Sequence, residues 1–347
     1  ELVVFVPADE GGGEPVRLQR LRLRNDSSRH RRLSVTFYAE WTLGEDREDS
    51  QAHVVCQWDA ETRTLLARNR YHPSYGDRVA FATLSPAPQS YTADRTGFLG
   101  RNRTPASPAA MRRIRLAGRA WPGLDPCAAV QVALDLPPGA AGEVTCMLGQ
   151  AASMEEADRL VRKYRDPAEV EESLRRTAAW WDRLFGAVQV ATPEKSADLL
   201  LNRWLPYQAL AARVWGRTGF YQSSGAFGFR DQLQDVLALL HAEPAIARGH
   251  LLASAHRQFV EGDVQHWWQP PSGAGVRTRC SDDLLWLPFV TTHYFDATGD
   301  ESILDEQVPF IQAAPLGASE EDRYGEYSAT DGTASLYEHC RRAIERG

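Results

Sequence analysis

The 347-residue sequence contains only two lysines, Lys163 and Lys195, and no two cysteines in a Cys-x-x-Cys arrangement. Its cysteines number five. An odd set without that spacing predicts neither a disulfide framework nor a zinc site, and it favours a reducing compartment. The sequence also lacks an apolar run of the roughly 20 residues that would cross a bilayer. No signal-peptide pattern is predicted in these residues. Together these absences predict a cytoplasmic location.

The charge composition of the sequence bears on whether the protein binds nucleic acid. The 46 acidic residues outnumber the 39 basic ones, so the formal net charge is −7. This balance argues against a nucleic-acid partner held by electrostatic attraction. With 43% hydrophobic and 24% charged residues, the chain has ordinary globular composition, and its length predicts two domains. The first residues already have a strand pattern and no initiator Met precedes them, so we expect a piece of a longer protein.

The first 150 residues have the pattern of consecutive β-strands. Residues 33–41 alternate between apolar and polar side chains, as a half-buried strand does. Residues 53–58 and 63–67 flank a short turn and predict a hairpin, and Pro137-Pro138-Gly139 predicts another turn between two strands. Many short strands without intervening helices indicate an antiparallel sandwich. The exception is the segment 91–111, rich in Gly, Arg, Asn and Pro, which we expect to be a long loop.

Helical signals begin at residue 153. Ser153 precedes Glu155 and Glu156 as a helix cap would, and Pro167 is suited to the first position of a second helix. From residue 195 apolar residues recur at spacings of three and four, and Ser335 begins a final capped helix. Helices joined by loops, without strands between them, predict a bundle or an α/α toroid.

Two segments carry residues suited to binding a sugar. Gly219-Phe-Tyr-Gln-Ser-Ser-Gly-Ala-Phe-Gly-Phe-Arg-Asp231 combines glycines, aromatic rings and an Arg-Asp pair. Aromatic faces and charged hydrogen-bonding groups suit a pyranose ring, which presents C–H faces and a rim of hydroxyls. The alternative is an ordinary helix start with Arg230 in a local salt bridge. No Gly-Lys-Ser/Thr follows, which excludes a nucleotide loop.

The second segment runs from Gln265-His-Trp-Trp-Gln-Pro-Pro271 to Ser281-Asp282-Asp283. Its tandem tryptophans either stack on a carbohydrate or pack between domains. Ser281 is expected to cap the next helix, with the two aspartates either favouring its dipole or binding a ligand. His266 is more often a structural histidine than a catalytic base.

These segments resemble glycoside hydrolase family 94, the inverting disaccharide phosphorylases that include the cellobiose and chitobiose phosphorylases. The resemblance covers residues 219–235 and 265–286. Within the family, residues 98–102, 124–131 and 335–344 are most similar to the C-terminal region of cyclic β-1,2-glucan synthases. The resemblance implies an α+β multidomain chain with an antiparallel β-supersandwich at residues 1–152, a helical linker at 153–194 and the first part of an (α/α)6 barrel at 195–347.

The same resemblance implies inverting phosphorolysis of β-linked glucan, with inorganic phosphate as co-substrate and no other cofactor or metal. Phosphate would attack the anomeric carbon opposite the leaving sugar, so the enzyme supplies only a general acid. Arg230 and Asp231 are implied to hold the glucosyl unit. The full set of implied substrate-binding residues is Tyr221, Gln222, Arg230, Asp231, Asp235, Trp267, Trp268, Arg277, Asp282 and Asp283.

The sequence departs from the family at the general acid, which is the aspartate of a Trp-Asn-Asp motif. No such motif occurs in the 347 residues, so we expect the acid beyond Gly347 and an inactive chain. One alternative is an inverting hydrolase with Asp282 or Asp283 as base. Another is a non-catalytic glucan-binding module that stacks sugar on Trp267 and Trp268. Expected partners are a β-glucan oligosaccharide and phosphate, the remainder of a membrane-anchored synthase, and a second copy in a homodimer.

Overall fold

The computed structural model describes residues 1–8, 13–216, 225–270 and 272–347. The chain divides into two compact units, Glu1–Trp181 and Asp182–Gly347. The first is an antiparallel β-sandwich domain and the second is largely helical. None of the helices in the described ranges combines the length and the apolar character that crossing a membrane requires.

The described residues of the first unit form nine strands in two antiparallel sheets. The strands are β1 Leu2–Phe5, β2 Val16–Arg24, β3 Arg31–Glu40, β4 Val54–Asp59, β5 Thr64–Asn69, β6 Val79–Ser85, β7 Ser90–Asp94, β8 Pro126–Leu136 and β9 Ala141–Ala151. Their order is β1-β2-β9-β6-β5-β4 in one sheet and β3-β8-β7 in the other. The predicted hairpin is confirmed, since β4 pairs with β5. The predicted turn at Pro137-Pro138-Gly139 is also confirmed, and it connects β8 to β9, which belong to different sheets.

The six-stranded sheet is covered on both faces. On one face Leu65 and Cys146 join a core shared with β3 and β8 of the smaller sheet. On the other, Leu66 and Met147 pack with residues of two helices. Because side chains alternate along a strand, neighbouring residues of β5 and β9 belong to different cores. This arrangement explains why β5 is almost continuously buried and why β9 has an unbroken buried run at residues 144–147.

The helices that belong wholly or partly to the described part of this unit are α1 Arg47–Ser50, α2 Arg95–Leu99, α3 Met154–Tyr164 and α4 Pro167–Gly186. The predicted helix starts are confirmed. The Ser153 hydroxyl accepts a hydrogen bond from the Glu156 amide at 3.2 Å, and Pro167 is the first residue of α4. α3 turns Leu160 and Tyr164 onto the six-stranded sheet.

The segment 91–111 differs from the predicted long loop. It contains the end of β7, α2 and a 3-10 turn at Ala109–Arg112. Phe98 of α2 is buried, and its ring stacks on Tyr38 with centroids 4.5 Å apart. The apolar residues of this segment therefore cover the outer face of the smaller sheet, a tertiary contact that the Gly- and Pro-rich composition does not reveal.

Within its described residues the second unit has the helices α5 Lys195–Leu199, α6 Leu205–Tyr207, α7 Phe229–Leu237, α8 Pro244–Ala255, α9 Trp286–Thr298 and α10 Leu336–Arg346. Residues Leu200–Trp204 and Gln208–Trp215 continue α5 and α6 as π-helical turns. α7 packs against α8 and α9, and α9 packs against α10. The Ser335 cap is confirmed, because its hydroxyl accepts a hydrogen bond from the Glu338 amide at 3.3 Å.

The prediction that no strands lie between these helices is wrong. The second unit contains β10 Phe227–Gly228, β11 Gln265–Trp268, β12 Gly275–Thr278, β13 Gln307–Gln312, β14 Asp322–Gly325 and β15 Ser328–Ser335. They form one sheet in the order β10-β11-β12-β14 and a separate β13-β15 pair. Most have two to six residues, too few to display an alternating pattern.

Candidate functional site

The first turn of α7 places Arg230 and Asp231 at the end of β10, which leads directly into the helix. Gly228 is the residue that caps this helix, and a Cβ atom there would overlap the Asp231 carboxylate. A larger residue would therefore displace that carboxylate from the helix start, where a negative charge is favoured by the helix dipole. Asp231 keeps half of its side chain exposed.

Arg213 joins the two acidic residues on one face of α7. Its Nε donates to both carboxylate oxygens of Asp235 at 3.1 Å, and its Nη2 lies 3.5 Å from Asp231 Oδ1. The bond to Asp235 raises the pKa of Arg213. The Asp235 carboxylate is mostly covered, so its bond to Arg213 serves to position α7. The Asp231 carboxylate is half exposed and remains accessible to a ligand.

Arg230 is paired with an aspartate that lies 52 residues further along the chain. Its Nη1 donates to Asp282 Oδ2 at 2.8 Å, and the Cys280 thiol donates to Asp282 Oδ1 at 3.1 Å. The Cys280 and Arg230 bonds lower the pKa of Asp282 to about 2. Asp282 is therefore ionised at neutral pH, so it can accept hydrogen bonds from sugar hydroxyls but cannot donate a proton to a leaving group.

His266 and Asp283 form a second pair. The His266 Nδ1 atom lies 2.5 Å from Asp283 Oδ2, with Asp283 buried and His266 partly exposed. Asp283 Oδ1 is also buried, and it has no hydrogen-bond partner among the described residues. The predicted capping role of Ser281 is wrong, because Asp283 opens a 3-10 turn, Asp283–Leu285, whose cap position is Asp282 and which precedes α9.

The two tryptophans of β11 differ in their surroundings. Trp268 is 3% exposed and packs edge-to-face on Phe227 and Phe229, with centroids 5.9 and 6.4 Å apart. Trp267 is partly exposed, and its ring centroid lies 5.8 Å from that of Tyr324. Trp268 is therefore a core residue, and Trp267 is the one with surface available for stacking on a sugar.

Arg277 lies in the interior of the second unit. Its side chain is 1% exposed, donates to both oxygens of Asp263 at 2.7 Å and to Glu261 at 3.0 Å, and lies 3.8 Å from the ring centroid of Phe259. These bonds occupy the guanidinium donors, so the structure favours a structural role over the substrate contact implied by the resemblance.

The structure thus brings Arg230, Asp231, Asp282 and Asp283 to the helix starts of the second unit. The predicted residues Tyr221 and Gln222 lie outside the described residues. The sequence analysis did not identify Arg213, because its partners are distant in sequence. It favoured a structural role for His266 and gave Cys280 no role in the site. The Ser281-Asp282-Asp283 string next to Cys280 was the sequence feature that could have indicated this cysteine.

Comparison with known families agrees with this architecture. The profile described as Glycosyl hydrolase 94, supersandwich domain, matches residues 1–167. The profile described as Glycosyl hydrolase 94 superfamily, catalytic domain, matches residues 180–347. The chain belongs to glycoside hydrolase family 94, and it carries both of the family's characteristic regions.

Curated relatives narrow the comparison. The chain is 42% identical over 332 residues to the cyclic beta-(1,2)-glucan synthase NdvB of Rhizobium meliloti, which covers 95% of this chain and 12% of that protein. It is 26% identical to the N,N'-diacetylchitobiose phosphorylase of Vibrio proteolyticus, covering 99% of this chain and 44% of the relative. It is 28% identical to the solabiose phosphorylase of Paenibacillus borealis, covering 89% and 39%. The chain therefore spans less than half the length of each of these relatives.

Proposed function

We propose that this chain contributes the sandwich and a glucosyl-binding surface to an enzyme that carries out inverting phosphorolysis of β-linked glucan, releasing glucose 1-phosphate. The observation that carries the proposal is the exposed Arg230–Asp282 ion pair beside the open Asp231 carboxylate. Charged donors and acceptors at one surface suit the hydroxyl rim of a glucosyl unit. Phosphate is the nucleophile, and no further cofactor takes part.

The proposed proton donor lies outside these 347 residues. Asp282 is held ionised, Asp283 faces His266, and Asp235 is bound to Arg213. No Trp-Asn-Asp motif occurs in the sequence. General acid catalysis contributes about 10²–10⁴-fold, so the chain by itself is expected to be inactive in phosphorolysis. We further propose that its helical unit is the first part of an (α/α)6 barrel.

The proposed substrate is a β-1,2-linked glucan, and the identity to a cyclic β-1,2-glucan synthase supports that linkage. In this setting phosphorolysis would set glucan chain length within a larger, membrane-anchored synthase. The corresponding partners are the glucan, phosphate, the remainder of that protein and a second copy in a homodimer, at a cytoplasmic location.

The test compares the 347-residue chain with a longer form that includes the Trp-Asn-Asp motif. Both are incubated with β-1,2-gluco-oligosaccharides, with and without phosphate. We expect phosphate-dependent glucose 1-phosphate from the longer form alone. Free glucose in the absence of phosphate would indicate the hydrolase alternative, and oligosaccharide binding without turnover by the longer form would indicate a binding module.

Arg230→Ala in the longer form tests the binding surface itself. Removing a charge-assisted hydrogen bond costs about 1.5–3 kcal/mol, which corresponds to an approximately 10–150-fold lower kcat/KM. The matched control is Arg341→Ala on α10, where the arginine is half exposed and pairs with Glu338 and Glu345. Equal activity of the two variants would contradict the role given to Arg230.

A further inference from the structure

We propose that His266, Cys280 and Asp283 form a binding site for a zinc-class transition-metal ion in the second unit. His266 lies in β11, Cys280 follows β12, and Asp283 begins the turn before α9. One ligand atom from each residue, a histidine ring nitrogen, the cysteine sulfur and a carboxylate oxygen, lies within 4.8 Å of the other two. The proposal is independent of the phosphorolysis proposed above.

The buried carboxylate is the second observation that points to a cation. Asp283 is 1% exposed, and although Oδ2 is bonded to His266, Oδ1 has no hydrogen-bond partner among the described residues. Leaving a buried carboxylate oxygen unpaired is costly, so such groups in proteins are usually paired or coordinate a metal. A cation coordinated by both oxygens of the Asp283 carboxylate would remove this cost.

The donor set matches the chemistry of zinc. Imidazole nitrogen, thiolate sulfur and carboxylate oxygen bind Zn²⁺ at about 2.0–2.3 Å, which places tetrahedral ligand atoms about 3.3–3.8 Å apart. The ligand atoms lie within 4.8 Å of one another, so side-chain adjustments of about 1 Å would bring them to that spacing, with the His266 and Asp283 atoms, now 2.5 Å apart, moving away from each other. The metal would take the place of the 2.5 Å contact between His266 Nδ1 and Asp283 Oδ2, and the Cys280 thiol would release its proton to solvent on binding it.

The charges around the site also balance. Asp282 remains paired with Arg230 after the Cys280 thiol gives up its hydrogen bond, so that pair contributes no net charge. The Cys280 thiolate and the Asp283 carboxylate then neutralise a divalent cation, with neutral His266 as the third ligand. Three protein ligands leave a fourth tetrahedral position for water or another group.

The spacing of the cysteines could not reveal this site, because only one ligand is a cysteine and the three come from separate elements. The expectation of no metal rested on the missing Cys-x-x-Cys pairs. The fold instead brings a histidine and an aspartate close to a single cysteine.

The experiment uses the whole 347-residue chain, stripped of metal with a chelator and titrated with Zn²⁺ and with Co²⁺. We expect one equivalent of either ion to bind, with a thiolate-to-cobalt charge-transfer band in the near ultraviolet and an increase in Tm. Cys280→Ser should abolish the band and weaken binding at least tenfold, and Asp283→Asn should weaken binding by a similar factor.

The matched control is Cys340→Ser, which removes a thiol from α10. Cys340 lies 3.6 Å from the Thr291 hydroxyl, so serine retains a hydrogen-bond partner there. This variant should bind metal as the parent chain does. Absence of stoichiometric binding by the parent chain, or binding that Cys280→Ser leaves intact while the variant keeps its circular dichroism spectrum, would overturn the proposal.

Discussion

The two units of this chain stabilise their interiors differently. In the sandwich unit large apolar side chains fill two cores, one on each face of the six-stranded sheet, with Leu65 in one core and Phe81 in the other. In the helical unit a fully buried side chain, Arg277, carries a charge and is held by two carboxylates. The stability of the first unit therefore depends mainly on apolar burial, and that of the second depends in part on complete ion pairing.

Arg277→Ala should cause the largest loss of stability, and that loss should fall on the second unit. Removing the guanidinium leaves Asp263 and Glu261 without their partner, and breaking a buried ion pair costs about 3–5 kcal/mol. Denaturant unfolding should show an earlier transition of the second unit, with that of the sandwich unchanged. Phe81→Ala is expected to cost a similar free energy of unfolding, about 3–5 kcal/mol, but to shift the unfolding transition of the sandwich instead. A single shared shift in both variants would contradict the distinction.

The sandwich unit also contains a charged group, the Glu14 carboxylate, whose contacts are expected to contribute to stability. Burial raises the pKa of this carboxyl, but hydrogen bonds from Lys163, Tyr164 and Arg159 outweigh it and bring the pKa from 4.5 to about 2. Because the folded-state pKa lies below the unfolded value, the stabilisation is complete above about pH 4.5 and is lost as the pH falls towards 2.

Glu14→Gln should therefore remove about 2 kcal/mol of stability at pH 7 and flatten the acid dependence of sandwich unfolding between pH 4.5 and 2. Tm measured across this range is the readout. The same substitution at exposed Glu171 serves as a control. An acid profile identical to that of the parent would show that the Glu14 contacts add no stability.

The helix caps should be equivalent in the two units. Ser153 and Ser335 each accept a hydrogen bond from the amide three residues further on, at 3.2 and 3.3 Å. Each serine-to-alanine change should cost about 1 kcal/mol, measured by urea unfolding. A clear difference between the two variants would show that the surroundings of one cap, rather than its hydrogen bond, determine the cost.

Asp282→Asn should have the smallest effect on stability. The pKa of Asp282 is also about 2, lowered by Cys280 and Arg230, so its contribution is likewise lost as the pH falls from about 4 to 2. Its side chain is half exposed, however, and solvent screening limits such a pair to less than about 1 kcal/mol. Acid unfolding of the variant should nearly overlay that of the parent. A loss comparable to that of Glu14→Gln would contradict this ranking.

The sandwich was largely predictable from sequence because its strands are long enough to display alternation. The 33–41 pattern corresponds to β3, and the Pro-Pro-Gly turn lies between β8 and β9. The strands of the helical unit were not predictable in this way. β15, Ser328–Ser335, contains no apolar residue larger than alanine, and its pairing with β13 depends on tertiary contacts that no local pattern encodes.

The candidate site was predictable only as a set of residue types. The motifs identified Arg230 and the two aspartates, but pairing across 52 residues requires the fold. Burial was equally inaccessible, because Trp267 and Trp268 are neighbours of the same type and only the structure distinguishes the partly exposed ring from the core ring.

Both faces of the six-stranded sheet are covered, and its strands therefore cannot readily accept an inserted or deleted residue. A deletion of one residue within β9 would move Met147 into the position of Cys146, on the opposite face, and would exchange the contents of the two cores along the rest of the strand. Insertions and deletions are therefore tolerable only in its turns, whereas substitutions that preserve size can accumulate within the strands. Homologues should accordingly align through β5, β6 and β9 without gaps.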